Sequence, residues 1–343
     1  MRDKTNKKIK TIFMGTPKFA VPILEALIKN SEACGIEIIG VVTEPDKPVG
    51  RKQTLTSSPV KIFAQEHNLP VFQPKKIKNW KLEIGNLKPD LGIVAAYGQI
   101  IPKEILDVPR YGFLNVHGSL LPELRGPSPI QYAILEGKKE TGITIMLIDE
   151  KMDEGPILTM SKVKCQMLNV TYEELYEKMA RLGAELLIKT LPKYLSGGIK
   201  PFPQDHSKAT YSKMIKKEDG HINWNKPADY IERQTRAFNP WPGTYAYWKF
   251  QISSTKSQIN SKSRVLKTKQ IKILKARPIT KLPNYSIANT PGTIFLTSEK
   301  EMAVVCGQNT TLIIDTLQLE GKKPMAAREF LNGYPEIIGS LLQ

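Results

Sequence analysis

In the first half of the chain, short unbroken apolar runs alternate with longer segments whose apolar residues recur every three or four positions. The runs are Ile9–Met14, Ile36–Thr43, Leu91–Ala96, Phe113–Val116 and Gly142–Ile148, and their near-continuous hydrophobicity predicts buried strands. Helical spacing marks Phe19–Ile28, with Pro22 in its first turn, and Ser58–Glu66, opened by Ser-Pro. It also marks Val170–Leu191, capped by Asn169 or Thr171 and stopped by Pro192. Strands alternating with helices predict an α/β domain over residues 1–195, a doubly wound, mainly parallel sheet with helices on both faces. The turn MGTP after the first run lacks the glycine spacing of a phosphate loop and reads as a plain strand-to-helix turn.

The pattern changes at residue 196. SGGIKPFPQDHSKATYSK is rich in Gly, Pro, Ser and Lys, so residues 196–214 read as a linker. Beyond it, over 215–343, strand signals become short and turns frequent. Tyr245–Ile252, Val265, Gln270–Lys275, Gly292–Leu296, Ala303–Val305 and Leu312–Gln318 predict a small all-β, OB-like barrel.

Charge adds a partner to this picture. With 41% hydrophobic residues the chain is globular, yet it carries a net charge of +17. That excess points to a polyanion, nucleic acid first and membrane surface second. Lys249–Lys281 holds ten basic residues and no acidic one, where a solvated barrel face normally mixes both signs. A merely lysine-rich surface is the competing reading. Cys34, Cys165 and Cys306 are far apart and in no CxxC pair, which argues against a zinc site or disulfide framework and for a reducing compartment. No apolar segment approaches membrane-spanning length, and the basic start MRDKTNKKIK does not read as a signal peptide. A cytoplasmic location is expected.

The candidate chemistry lies in FLNVHGSLLPELRGPSP. Asn115 and His117 stand two apart at a strand end, so both side chains face one side, at the edge where open α/β sheets bind ligands. Taken alone, the pair is as compatible with a histidine that caps a loop. Gly118, Pro122, Pro127 and Pro129 make the following loop tight and stiff, with Arg125 and Gly126 inside it. A second polar cluster, Asp149 and Asp153 in IDEKMDEGP, follows the strand Gly142–Ile148. An aspartate before Gly-Pro is most often a turn residue, and only convergence with His117, through strands that end on the same sheet edge, would give Asp153 a chemical role. Asn, His and Asp together suit acyl transfer between nitrogens: the imidazole takes the amine proton, the carboxylate balances it, and the carboxamide donates to the developing oxyanion.

These segments resemble the folate-dependent formyltransferases. NVHGSLLPELRGPSPIQ and ETGITIMLIDEKMDEGPIL carry the resemblance, together with IFMGTPKFAVPILEAL, VVTEPDKPVGR, AAYGQIIP, KEDGHINW and RAFNPWPGT, so it spans nearly the whole chain. It implies transfer of a formyl group from 10-formyltetrahydrofolate, a co-substrate, to the α-amino group of methionine on initiator tRNA, by a monomeric enzyme without a metal. It implies Asn115, His117 and Asp153 as catalytic residues, and Ser119, Leu120, Leu121 and Pro122 as folate contacts. Arg51 is implied as a tRNA contact, although Lys52, Gln53 and Thr54 follow it where the family often has Gly and a lysine pair. A small-molecule formyltransferase acting on glycinamide ribotide or an amino-sugar would share the trio but needs no basic β-domain. A non-catalytic RNA-binding protein on the same scaffold would be expected to have lost part of it.

Overall fold

The computed structural model describes residues 8–50, 52–164, 170–253, 264–279 and 290–343. Their contacts divide them into two compact units, one within residues 1–133, 139–166 and 173–214, the other within 134–138, 167–172 and 215–343.

Strands β1 (Ile9–Gly15) and β2 (Ile36–Val42) are followed by a hairpin of β3 (Lys47–Val49) and β4 (Thr54–Thr56). Then come β5 (Val71–Phe72), β6 (Leu91–Ala95), β7 (Phe113–His117), β8 (Glu140–Leu147) and β9 (Ile157–Lys164). Among the described residues, the first unit is built on a seven-stranded sheet in the order β5-β2-β1-β6-β7-β8-β9. From β5 to β7 neighbouring strands are parallel, while β8 pairs antiparallel with both β7 and β9. All five residues of β6 are buried, as an unbroken apolar run requires of a central parallel strand.

Helices cover the sheet with the expected spacing. The helix Ala20–Lys29 buries Ala20, Ile23, Leu24 and Leu27. In Pro59–Glu66, Ser58 is the N-cap and its hydroxyl accepts from the Lys61 N–H. The long helix Tyr172–Leu195 lies against β7: a Cβ added at Gly183 would stand 2.8 Å from Val116 Cγ1, so glycine permits the close approach. This helix does not stop at Pro192 but runs on to Leu195. The proline leaves the Ile188 carbonyl without its usual backbone donor, and the Cys34 thiol faces that oxygen at 4.0 Å. Asn169 lies outside the described residues.

Residues 196–214 are part of the first unit. Phe202 pairs with Ile157 through two backbone hydrogen bonds, Tyr211 bridges Arg125, and Gln204 and Ser212 are buried. The Pro- and Gly-rich composition that reads as a connector is here a strap laid across other loops.

The second unit contains β10 (Thr244–Ser253), β11 (Arg264–Ile279), β12 (Ile294–Leu296), β13 (Met302–Cys306), β14 (Thr310–Leu319) and β15 (Met325–Ala326). The antiparallel order is β10-β11-β14-β13-β12, with β15 on β14. Residues 339–343 close the ring, because Gln343 exchanges backbone hydrogen bonds with Tyr247 on β10 while Ser340 and Leu342 bond Ile294 and Gly292. Trp248, Ile271, Leu317 and Phe330 fill the interior. Two helices, Ala228–Ala237 and Ala327–Gly333, complete this unit, and the turn-dense pattern of its sequence does not register them.

Candidate active site

β7 pairs with β6 through Val94 and Asn115 and with β8 through His117 and Thr144, which fixes the height of both polar residues at the strand's carboxyl end. Val116 is buried between them, so Asn115 and His117 share the opposite face. His117 is only 6% exposed. Its Nε2 lies 3.1 Å from the Leu124 carbonyl. A carbonyl only accepts, so Nε2 carries the proton, and in the neutral ring Nδ1 is left bare.

Asp153 meets that bare nitrogen. Its Oδ1 stands 3.6 Å from His117 Nδ1 and receives a long, 3.4 Å, hydrogen bond from Asn115 Nδ2. The other oxygen, Oδ2, accepts the backbone N–H of Gly126 at 2.7 Å. The three residues therefore converge, but not by the route expected from the sequence. Because β8 is antiparallel to β7, it ends opposite Leu114, at the start of β7. Asp153 returns to the site on the loop joining β8 to β9, in a left-handed conformation at φ 54°. Asp149, from the same cluster, stays apart as a turn residue that accepts the Lys151 N–H.

The loop after β7 is fastened from inside. The Thr144 hydroxyl donates to the Ser119 carbonyl at 2.7 Å and accepts the Leu121 N–H at 3.1 Å. The Ser119 hydroxyl donates to the Glu123 carbonyl. The Leu121 side chain packs with Met146 and Ile157. Of the four predicted folate contacts, Ser119 and Leu121 are thus buried and engaged internally, whereas Leu120 and Pro122 are half-buried. Arg51 lies outside the described residues. The base of the β3–β4 hairpin is pinned by Asp46, which accepts from Lys61 Nζ at 2.7 Å and from Gln73 Nε2 at 2.8 Å. Those two hydrogen bonds, Lys61 foremost, hold the Asp46 carboxyl below its ordinary range.

In the sequence Arg125 is no more than a residue between prolines. In the structure it is a buried guanidinium, 1% exposed, 3.3 Å from Glu154 Oε1. Its Nε and Nη2 both donate to Gln204 Oε1, and Nη2 also lies 3.0 Å from His206 Nδ1. An arginine in a Pro- and Gly-rich loop can be flagged from sequence, but its partner, about eighty residues on, cannot.

In the second unit, the basic run is described only in part: Lys256, Lys262 and Lys281 lie outside the described residues. Lys249, Lys267 and Lys275 are exposed. Arg277 is ion-paired with Asp315 on the neighbouring strand β14 and with Glu301, just before β13, so acids from elsewhere in this unit partly balance the run. Arg236 of the RAFNPWPGT segment pairs with Glu232 and donates to the Val170 carbonyl, both within this unit. Among the described residues no group of His, Cys, Asp and Glu could hold a metal ion. Nor is any helix among them long and apolar enough to cross a membrane.

Comparison with known proteins completes this picture. Residues 7–191 match the family described as formyl transferase, and residues 214–335 match the formyl transferase C-terminal domain. A methionyl-tRNA formyltransferase of Bacillus cytotoxicus is 43% identical over 336 residues, covering 97% of this chain and 98% of its own. One from Chloroflexus aurantiacus is 42% identical over 327 residues, covering 95% and 97%. Among solved structures, the sugar 3N-formyl transferase WlaRD, determined in the presence of dTDP and 5-N-formyl-THF, superposes with a TM-score of 0.60 at 21% identity, over 92% of this chain and 99% of its own. At that identity the likeness is one of fold.

Proposed function

Since the chain belongs to the formyl transferase family and is a formyltransferase, we propose that it moves the formyl group of 10-formyltetrahydrofolate to the α-amino group of methionine on initiator tRNA. The observation that carries this reading is the meeting of Asn115, His117 and Asp153 around one carboxylate. Relatives above 40% identity and of matching length bear the name methionyl-tRNA formyltransferase, which favours tRNA over a small amine as acceptor.

In this reading the uncharged amine of the aminoacyl group attacks the formyl carbon directly. The C–N bond to methionine forms and the carbonyl electrons move to oxygen. Asn115 Nδ2 turns to that oxygen, exchanging its long 3.4 Å bond to Asp153 for a charge-assisted one. His117 takes the amine proton at Nδ1, the nitrogen left bare by the Leu124 carbonyl. Asp153 is the counter-charge for the imidazolium so formed. On collapse, the bond to folate N10 breaks and the same proton passes to that nitrogen, so His117 returns to its starting state. No serine or cysteine nucleophile is required.

Residues 1–195 are then the catalytic domain, in which Leu120 and Pro122, half-buried, contact the flat pterin and Ser119 and Leu121 hold the loop that presents them. Residues 215–343 supply the basic surface for tRNA, with Arg51 contacting the acceptor end. A cytoplasmic monomer fits this role. The test is transfer of labelled formyl to initiator and elongator Met-tRNA at two salt concentrations, with an amino-sugar nucleotide as the competing acceptor. Preferred formylation of initiator tRNA that weakens at high salt is expected. Equal use of both tRNAs, or preference for the sugar, would refute the acceptor assignment.

A further inference from the structure

Gln204 is buried, 5% exposed, on the strap whose register is set by the Phe202–Ile157 backbone pair. Its carboxamide is divided between two sets of partners. Oε1 accepts both Nε and Nη2 of Arg125, at 3.2 and 2.8 Å. Nε2 donates to the carbonyls of Asp153 and Gly155, each at 2.8 Å. The orientation of the amide is unambiguous, because a flip would set two donors against a guanidinium and an oxygen against two carbonyls.

The guanidinium fixes the amide oxygen, and the amide nitrogen in turn fixes the backbone on either side of Glu154. Asp153 sits at positive φ, and Gly155 is squeezed so closely that a Cβ there would overlap the Leu147 carbonyl. Glu154, between them, pairs with the same arginine. The Asp153 carboxylate reaches Gly126, Asn115 and His117 only while this turn is held.

We propose that Gln204, clamped by Arg125, is a positioning residue that holds the Asp153 carboxylate against the Asn115–His117 pair. The proposal rests on the catalytic reading of Asp153 given above. It adds a residue about fifty positions away, on a strap that carries no motif. The competing account is that Gln204 merely satisfies two buried carbonyls and serves stability alone.

The two accounts separate in a double-substitution cycle read by formyl transfer to initiator Met-tRNA. Gln204→Met removes both sets of hydrogen bonds, whereas Gln204→Glu keeps an acceptor for Arg125 and removes the donors to the turn. Each is expected to lower kcat by about 10- to 100-fold, the scale of a misplacement near 1 Å, with KM for both substrates within about twofold. In an Asp153→Asn enzyme, adding Gln204→Met should lower kcat further by less than about twofold, because the residue acts through a carboxylate already gone. Hydrogen exchange supplies a readout that needs no acceptor: the Gly126 amide, bonded to Asp153 Oδ2, should exchange about tenfold faster in either Gln204 variant. Equal fold-losses in the two backgrounds, an unchanged kcat, or unchanged Gly126 protection would each overturn the proposal. If Gln204→Met fails to fold, Gln204→Glu decides. A wild-type enzyme that ignores Met-tRNA would refute the acceptor assignment, and Gly126 exchange would still judge Gln204.

Discussion

Replacing Asp153 by Asn tests the centre of the mechanism with the least disturbance of shape. The amide keeps an oxygen for the Gly126 N–H, at 2.7 Å in the wild type, and removes the negative charge. A full proton on His117 Nδ1, 3.6 Å from Asp153 Oδ1, interacts with that charge by about 4–5 kcal/mol at an effective dielectric constant of about 20. In the transition state the proton is partly transferred, and Asp153 keeps some contact with solvent, so roughly half survives. About 2 kcal/mol corresponds to a kcat lowered roughly thirtyfold. Single-turnover transfer at saturating folate and Met-tRNA reads this loss, with thermal unfolding measured alongside. A kcat within about threefold of wild type, or a loss confined to KM, would refute the idea that Asp153 balances a proton on His117.

His117→Ala should lower formylation by about 100-fold or more while tRNA affinity stays unchanged, checked by steady-state kinetics and filter binding; full activity would remove the imidazole from the mechanism. Asp46 bears on the hairpin β3–β4. Its carboxyl titrates lower in the folded protein than in the unfolded chain, so its stabilising effect is complete above about pH 4 and is lost as pH falls through the folded value. Hydrogen exchange across residues 47–56 should show that acid loss in the wild type and not in Asp46→Asn. Replacing the exposed Lys267 and Lys275 by Ala should weaken tRNA binding and reduce the slope of log K against log salt by about two, with folate affinity unchanged; an unaltered slope would place the RNA elsewhere.

Much of this organisation is legible in the sequence because it is local. The unbroken run Leu91–Ala95 can only be a buried strand, and the two-residue spacing of Asn115 and His117 at a strand end already puts them on one face. What is illegible depends on pairings distant in the chain. Nothing within Gly142–Ile148 declares whether that strand lies parallel or antiparallel to β7, so the path by which Asp153 reaches His117 cannot be read from it. Pro192 marks a helix end in the sequence, but a helix held by packing tolerates one missing bond, here with the Cys34 thiol facing the orphaned carbonyl. Gln204 belongs to a stretch whose composition says connector, and its burial arises from hydrogen bonds to Arg125 and to the Asp153 turn, which no window around it contains. The lysine-rich run reads as uniformly positive because its balancing acids, Asp315 on β14 and Glu301 just before β13, come from further along the chain.

Gly183 sits on the far side of β7 from the chemistry, yet the side chain it touches, Val116, is flanked in sequence by the two residues that do the work. The strand is therefore read from behind by a helix and from the front by substrate. A single methyl at position 183 would have to push Val116, and with it the carboxamide on one side and the imidazole on the other. Mutational surveys restricted to the residues that face substrate would pass over this glycine, although it is what lets the helix come so close to the strand that carries them.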